Sequence, residues 1–251
     1  MKRIESVQNV RVKQLKKLHT KKGREKEHLF LIEGMHLIEE AMKHRRLILE
    51  IWIEEGRGIQ LPTVEETIQI IEVTSGVMKT ISTLDHPQGI VAVCQIQHDE
   101  VVFEKGKKYL LVDQVQDPGN IGTIIRTADA SGIDAVILNN GTVDIYNDKV
   151  IRATQGSLFH LPVVYAPLEN VISSLTAVGI SVYGTSLLNG IDYREVKRQE
   201  SFALLVGNEG SGVQESLLNV TTKNLYIPII GKAESLNVAV ATGILLYSLQ
   251  E

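Results

Sequence analysis

The sequence is poor in cysteine, in aromatic residues and in long apolar runs. Cys94 is the one cysteine among 251 residues, so a disulfide framework within the chain is excluded, which fits a reducing compartment and predicts a cytoplasmic protein. Cys94 ends an apolar run that begins at Ile90, and we expect it to be a small core residue rather than a nucleophile. No long uncharged apolar stretch occurs, and residues 1–5 lead into no apolar segment, which argues against a membrane span and a secretion signal.

The chain as a whole also lacks an excess of positive charge, with a net charge of -4 and a pI of about 6.0. Its basic residues are unevenly distributed, however. Residues 1–26 contain ten basic residues and only two glutamates. The basic residues of that segment are Lys2, Arg3, Arg11, Lys13, Lys16, Lys17, Lys21, Lys22, Arg24 and Lys26. Such a cluster either contacts nucleic-acid phosphate or forms a solvated, disordered arm. The apolar spacing of Val7, Val10, Leu15 and Leu18 favours an amphipathic helix within it.

Extended and helical patterns alternate from residue 28 onward, which predicts an α/β fold. One helix is expected from Gly34 to Arg46. The charged segment 97–108 is the expected linker, with the boundary near Gly106, so the predicted domains are 1–105 and 106–251. Repeated strand and helix units in the second domain predict a mostly parallel sheet with helices on both faces. Sheets of this kind bind ligands at the carboxyl ends of their strands.

The first polar stretch at such a strand end lies within residues 110–132. A buried strand from Tyr109 to Val115 is followed by Asp117 and Pro118, which are typical of a helix N-cap and first turn. Asn120 and Arg126 lie six positions apart on the predicted helix, and a guanidinium there suits a phosphate. An arginine in a surface ion pair is the alternative interpretation.

The second stretch is the glycine loop, residues 207–212, which follows the predicted strand 202–206. Glycines let backbone amides approach a ligand closely, although a plain structural turn has the same composition. A dinucleotide site would have glycines in the pattern G-x-G-x-x-G and an acidic residue about twenty positions on. The loop has neither the spacing nor the acidic residue, so that interpretation is discounted.

The third stretch, residues 227–241, joins a predicted strand Leu225–Ile229 to a predicted helix Leu236–Leu249. Pro228 marks the end of the strand, because proline cannot donate to a sheet ladder. Ser235 is a credible N-cap, but capping explains neither the whole polar loop nor Asn237 beside it. The sequence therefore predicts a site at this junction.

Together, the three stretches resemble the motifs of the SpoU-type (TrmH-like) RNA ribose 2′-O-methyltransferases of the SPOUT superfamily, in order and approximate spacing. The resemblance runs from about Lys107 to the C-terminus, and the basic N-terminal part resembles the L30e-like RNA substrate-binding domain often attached to this family. It implies S-adenosylmethionine as methyl donor, a deep C-terminal trefoil knot, a homodimer formed through the knotted domain and no metal. The expected substrate is RNA; ribosomal RNA is favoured, and transfer RNA stays open as the alternative.

The resemblance also implies roles for individual residues. Cofactor-binding residues are expected at Thr185, Gly207, Ile227, Ile229 and Leu236, and catalytic residues at Asn120, Arg126, Glu209, Ser235 and Asn237. RNA-binding residues are expected at Arg11, Lys13, Lys16, Lys17, Arg24, Lys149 and Arg152, the last two in a less strict family segment. In each case a solvated helix face or an ordinary capping residue is the alternative.

The role of the family arginine, here Arg126, has two interpretations. It is often assigned as the base that takes the ribose proton. A free arginine side chain stays protonated far above neutral pH, however, so a neutral guanidinium near pH 7 costs roughly 8 kcal/mol. We therefore favour a clamp that grips an RNA phosphate and orients the ribose, with the proton lost late through Ser235 or water.

Two functions from other classes stay open on the sequence alone. A protein that keeps the fold without activity would bind RNA or assist ribosome assembly. A related transferase would use the same cofactor pocket on a nucleobase, although the polar set of Asn120, Arg126 and Ser235 argues for a ribose acceptor.

Overall fold

A computed structural model describes residues 2–44 and 47–250, so the predicted helix end at Arg46 lies outside the described residues. The strands are β1 (Lys2–Ile4), β2 (Leu29–Glu33), β3 (Ile48–Glu54), β4 (Gln69–Val73), β5 (Ile90–Gln95), β6 (Lys108–Val112), β7 (Ala135–Leu138), β8 (Val163–Tyr165), β9 (Ser181–Thr185), β10 (Ile191–Asp192), β11 (Phe202–Val206) and β12 (Lys223–Tyr226). The α-helices are α1 (Val10–Lys17), α2 (Lys21–Glu27), α3 (Met35–Lys43), α4 (Ser75–Ile81), α5 (Pro118–Ala130), α6 (Asp148–Thr154), α7 (Leu168–Ala177), α8 (Glu215–Leu218) and α9 (Val238–Leu249).

The chain divides into two compact units by its internal contacts. Unit 1 contains the residues up to Gln97 together with Asp144–Phe159, and unit 2 contains His98–Val143 and the residues from His160 onward. Unit 1 is built on a mixed sheet in the order β1-β4-β3-β5-β2. Its core includes the fully buried Trp52. The predicted domain boundary near Gly106 stays a prediction. The two units are defined by contacts within the folded chain, and this division does not test a boundary between domains.

The segment Asp144–Phe159 packs within unit 1 through specific contacts. The Arg24 guanidinium donates to Asp144 Oδ2 at 2.6 Å, and the ring of Tyr146 lies 4.6 Å from that of Phe30 between centroids. The side chain of Arg152 donates to Thr83 Oγ1 at 3.1 Å. A piece of chain that follows β7 in sequence therefore completes the unit that contains the N-terminal residues.

Unit 2 confirms the predicted α/β arrangement with a mostly parallel sheet. Its seven strands lie in the order β10-β12-β9-β11-β6-β7-β8, and every pair is parallel. Alternate residues of a strand face opposite sides, and Leu111 packs in one cluster with α7 residues such as Leu175. The long apolar strands β6 and β11 are buried at the centre, as expected for a parallel sheet.

The basic N-terminal segment is folded, so the alternative of a disordered arm is wrong. Helix α1 buries Val12 and Leu15 as the apolar spacing predicts, and it begins at the N-cap Asn9. Strand β1 and helix α2 were not predicted from the sequence, because neither short element shows a clear apolar period. Thr20 caps α2 by accepting a hydrogen bond from the Gly23 N–H.

Two element boundaries near the predicted site differ from expectation. Strand β12 ends at Tyr226, before Pro228, and α9 begins at Val238 with Asn237 rather than Ser235 as its N-cap. Asn237 Oδ1 accepts from the N–H groups of Ala239 and Val240. An asparagine satisfies free helix amides as well as a serine does, so residue type alone could not decide between the two positions.

Two further expectations concern Cys94 and membrane spans. Cys94 is fully buried in β5, and burial raises the pKa of its thiol, so the prediction of a core residue is confirmed.

Among residues 2–44 and 47–250, no helix has the length and apolar character needed to cross a membrane.

Candidate functional site

A cavity of about 810 Å³ lies at the carboxyl ends of the strands in unit 2. Its walls come from the loop after β9, the glycine loop after β11, and the chain between β12 and α9. All five predicted cofactor-binding residues line it: Thr185, Gly207, Ile227, Ile229 and Leu236. The cavity therefore forms where the parallel sheet predicts a ligand site.

The charged residues of this cavity are acidic. Glu209 and Glu215 line it, whereas no lysine or arginine among the described residues does so. A cofactor carrying phosphate groups would find no cationic partner in these walls, which agrees with the dismissal of a dinucleotide site. A ligand with a positive centre and apolar parts fits the lining better, because carboxylates accompany exposed leucines such as Leu188.

The glycine loop closes tightly on itself. A Cβ atom at Gly207 would lie 2.2 Å from both the carbonyl carbon of Gly212 and the amide nitrogen of Val213, so only glycine fits there. Asn208 holds the turn, because its Oδ1 accepts from the N–H groups of Gly210 and Ser211 while its Nδ2 donates to the Gln114 carbonyl. These contacts fix the conformation of the loop, which forms one wall of the cavity.

Hydrogen bonds between side chains join the three predicted motifs. Asn120 Nδ2 donates to Glu209 Oε1 at 3.0 Å, and Asn237 Nδ2 donates to Asn120 Oδ1 at 2.8 Å. Glu209 and Asn237 line the cavity, so Asn120 bridges two residues of its wall from the first turn of α5. Three segments that are distant in sequence thus meet in one polar cluster.

Glu209 is the anionic member of this cluster, although its side chain is largely exposed. Burial by itself would raise the pKa of Glu209. Hydrogen bonds from the Asn120 side chain and from backbone N–H groups, including those of Asp117 and Gln116, outweigh that effect and lower the pKa below its usual value. The carboxylate is therefore ionised at neutral pH and holds the start of α5.

Ser235 and Arg126 complete the predicted catalytic set in different ways. Ser235 is exposed and lines the cavity. Arg126 is exposed on α5, lines no part of the cavity within the described chain, and makes no hydrogen bond or ion pair there. Because residues six positions apart on a helix differ by about 120° in direction, Arg126 and Asn120 point to different sides of α5.

The predicted RNA-binding residues of unit 1 separate into two groups. Lys13, Lys16, Lys17 and Lys149 have exposed side chains. By contrast, the guanidinium groups belong to intrachain pairs, with partners Glu50 for Arg11, Asp144 for Arg24 and Asp148 for Arg152. The prediction of RNA contact is corrected for Arg24, because its side chain is only 5% exposed and is held by an acid and a carbonyl.

Two polar residues of this region were not predicted from the sequence to have a role: Asp113, which lies behind the cavity wall, and Asn208, which lines the cavity. Asp113 is fully buried directly after β6, and Asn208 shapes the glycine loop. An acidic residue at the end of an apolar strand is a signal that could have identified Asp113, because an aspartate is rarely buried unless its carboxylate is paired. Asn208 carries no comparable signal, since asparagine is common in any turn.

Comparisons with known proteins agree with this geometry. A model of the SpoU rRNA Methylase family matches residues 107–247, and a model of the MRM3-like substrate binding domain matches residues 9–92. The chain is 49% identical over 250 residues to the 23S rRNA (guanosine(2553)-2′-O)-methyltransferase RlmP of Bacillus subtilis, with 100% of both chains covered.

Solved structures are similar over nearly the whole chain. The AdoMet-bound rRNA methyltransferase from Sinorhizobium meliloti is 33% identical, with a TM-score of 0.88 over 99% of this chain and 97% of that one. The SpoU methyltransferase AviRb from Streptomyces viridochromogenes, in complex with the cofactor AdoMet, is 27% identical, with a TM-score of 0.88 over 96% and 97%. The resemblance inferred from the three motifs is thereby confirmed, and the chain belongs to the SpoU rRNA methylase family.

Proposed function

We propose that this protein transfers a methyl group from S-adenosylmethionine to a ribose 2′-hydroxyl of ribosomal RNA. The observation that carries the proposal is the cavity of unit 2, where the glycine loop, Asn237 and Glu209 come together. The 49% identity over the full chain to a 23S rRNA guanosine 2′-O-methyltransferase supports a guanosine of 23S rRNA as the target.

The cavity fits S-adenosylmethionine by size and by charge. Backbone groups around Gly207 and Ile227, with Thr185 at the end of β9, would hold the adenosine and methionine parts. Acidic residues and the absence of lysine and arginine from the described lining suit a ligand with a sulfonium and an ammonium group. When bound, S-adenosylmethionine supplies an electrophilic methyl group.

The chain's own residues would bring the ribose to that methyl group. The linked amides of Asn120 and Asn237 present a fixed polar edge, and ionised Glu209 holds it in place. Ser235 faces the cavity and would relay the proton of the 2′-hydroxyl to water. Positioning supplies much of the rate in an in-line displacement, so this rigid cluster suits the reaction.

Arg126 would act as a phosphate clamp from a second copy of the chain. It lies on an exposed stripe of α5 formed by Gly119, Thr123, Arg126 and Ala130. On α9, which packs beside α5, the exposed side chains of Val240 and Tyr247 extend this surface. A homodimer through α5 and α9 would cover the stripe and place the partner's arginine near the cavity.

The RNA would be held by the exposed lysines of unit 1. Lys13, Lys16 and Lys17 on α1 and Lys149 on α6 keep their charges free for phosphate. The match of residues 9–92 to a substrate binding domain supports this role for unit 1. Arg11, paired with Glu50, and Arg152, paired with Asp148, would contact RNA only by exchanging their partners.

We propose the finer architecture on the same family likeness. The domains are 1–105, with an L30e-like fold, and 106–251, with a trefoil knot in its C-terminal part. Full-length likeness to solved family structures supports both assignments. An rRNA substrate supports a cytoplasmic location. A crystal structure traced through residues 186–238 tests the knot.

The proposed function is tested by cofactor binding and by mapping of methylated RNA. Calorimetry should show binding of S-adenosylmethionine, and ribose methylation mapped across total RNA should lose one 23S rRNA position when the gene is deleted. Absence of cofactor binding would favour a non-catalytic RNA-binding protein. Loss of a methylated base or of a tRNA position would identify a different acceptor.

A further inference from the structure

Asp113 is a fully buried carboxylate that the reaction described above does not use. Its Oδ2 accepts from the Gln214 backbone N–H at 2.9 Å, and its Oδ1 accepts from Gln214 Nε2 at 2.8 Å and Asn139 Nδ2 at 2.9 Å. No cationic side chain in the described part of the chain forms an ion pair with it. Three neutral donors therefore compensate the loss of hydration on burial.

These contacts place Asp113 across both ends of the glycine loop. Its own N–H donates to the carbonyl of Val206, the residue before the loop, at 2.8 Å. Its carboxylate holds Gln214, the N-cap of α8, which follows the loop and Val213. The entry and the exit of the loop are thus fixed to a single residue, which lies directly after the neighbouring strand β6.

A shift at Gln214 would reach the cavity directly. The chain at Gly212 and Val213 lies against Gly207 so closely that no Cβ fits between them, and all three residues line the cavity. Asp113 itself is not among the lining residues. Asp113 would therefore act on a ligand through the loop that it holds rather than by direct contact.

We propose that Asp113 is a positioning residue that sets the shape of the glycine loop for S-adenosylmethionine by holding Gln214. The inference rests on the proposed function, because it takes the cavity as the cofactor site. Asp113→Asn keeps the size of the side chain and exchanges one acceptor oxygen for an NH₂ group. In either orientation of the new amide, its NH₂ group faces a donor. That donor is the Gln214 N–H in one orientation and the side-chain amides of Gln214 and Asn139 in the other.

The test uses the full chain and two measurements. Calorimetry should show the Kd for S-adenosylmethionine raised about tenfold or more in Asp113→Asn, while kcat at saturating cofactor changes by less than about threefold. Hydrogen exchange without ligand should show faster exchange of the Gln214 amide. The double variant Asp113→Asn with Gln214→Glu restores a donor and acceptor pair between these two side chains, although Asn139 Nδ2 still faces an NH₂ group, so its Kd should recover part of the loss.

Tyr109→Phe is the matched control, because Tyr109 lies near the other end of β6. Its buried hydroxyl donates to the Val102 carbonyl and accepts from the Glu104 N–H, both at 3.1 Å. This variant should lower Tm and leave the Kd within about twofold. If Asp113→Asn does not fold, Gln214→Met removes one of the three donors and should raise the Kd about threefold.

The outcomes separate this inference from the proposed function. If wild type binds S-adenosylmethionine and Asp113→Asn, or Gln214→Met in its place, binds equally well with unchanged loop exchange, Asp113 has no positioning role. If wild type binds no S-adenosylmethionine, the proposed function fails, and this inference fails with it. A tenfold loss shared with Tyr109→Phe would identify a general loss of stability and would also overturn the inference.

Discussion

The two units of this protein use positive charge in opposite ways. In unit 1, the guanidinium of Arg24 is buried against Asp144, and Arg11 pairs with Glu50, so part of a basic cluster serves the fold. In unit 2, the described cavity lining has no basic residue, and Arg126 is exposed, with no hydrogen bond or ion pair from its side chain to any described residue. The difference shows that the number of basic residues in a segment does not tell how many of them can contact a ligand. The intrachain partner of each residue must be known first.

The largest effect that would test this comparison is expected from Arg126→Ala. Loss of a phosphate clamp should reduce methyl transfer to rRNA by about 10²- to 10³-fold, because a misplaced ribose loses most of the positional advantage. Because Arg126 makes no hydrogen bond or ion pair with the described residues of its own chain, Tm should stay within about 1 °C. Steady-state kinetics and thermal unfolding of the same preparations measure both quantities.

Arg126→Lys separates the clamp from a base. Lysine keeps a point charge but loses the planar fork, and it deprotonates more easily than arginine. The clamp interpretation predicts a strongly reduced rate at every pH. Near-normal activity that rises with pH would support a base instead.

Arg24→Ala should have the opposite effect to Arg126→Ala, because it should lower the stability of the fold rather than the rate of methyl transfer. Removal of one partner from a buried ion pair leaves the Asp144 carboxylate without its cation, although the Tyr146 N–H still donates to it, so the free energy of unfolding should fall by about 3 kcal/mol. Urea unfolding measures the change. Lys22→Ala, an exposed neighbour on α2, should change it by less than about 0.5 kcal/mol. Equal effects of the two variants would contradict the structural role of Arg24.

A smaller effect is expected when exposed lysines of unit 1 are removed. The double variant Lys16→Ala with Lys17→Ala should weaken rRNA binding about tenfold at low salt and reduce the slope of log K against log salt by about 1.5. The matched control removes Lys197 and Lys223, two exposed lysines of unit 2. Filter binding across a salt series compares the pairs, and equal slopes for both would remove α1 from the RNA surface.

The smallest effect concerns Glu209 and pH. Because its pKa is lowered by hydrogen bonds in the folded state, the carboxylate contributes stability that is present above its usual pKa of about 4.5 and is lost as pH falls through the lowered value. Glu209→Gln should lower Tm by about 1–2 °C at pH 7, since the group is largely exposed. The difference from wild type should vanish in acid. A difference that stays constant down to the lowest accessible pH would rule out the carboxylate as its source.

Much of the cavity could be predicted from the sequence, because its wall consists of local motifs. Gly207 and Thr185 stand at strand ends, and strand ends of a parallel sheet meet at one edge. The choice of Asn237 over Ser235 as the cap of α9 could not be predicted, since both residues cap helices well. A cap is decided by the path of the chain before the helix, which local composition does not contain.

The fates of individual charged residues were the least predictable part of the fold. Arg24 and Lys22 are neighbours with the same apparent chemistry, yet the acid that holds Arg24 lies 120 positions later in the sequence. Asp113 likewise depends on Gln214, 101 positions later. Such pairs are set by tertiary packing, and no periodic pattern in one segment encodes its partner.

The packing of Asp144–Phe159 into unit 1 has a consequence for synthesis on the ribosome. The N-terminal residues emerge first, but Arg24 and Phe30 receive their partners only after Asp144 and Tyr146 leave the exit tunnel. At about 5–20 residues per second, the nascent chain waits several seconds with that face incomplete. Translation speed between codons 98 and 159 therefore sets how long that face of unit 1 stays incomplete.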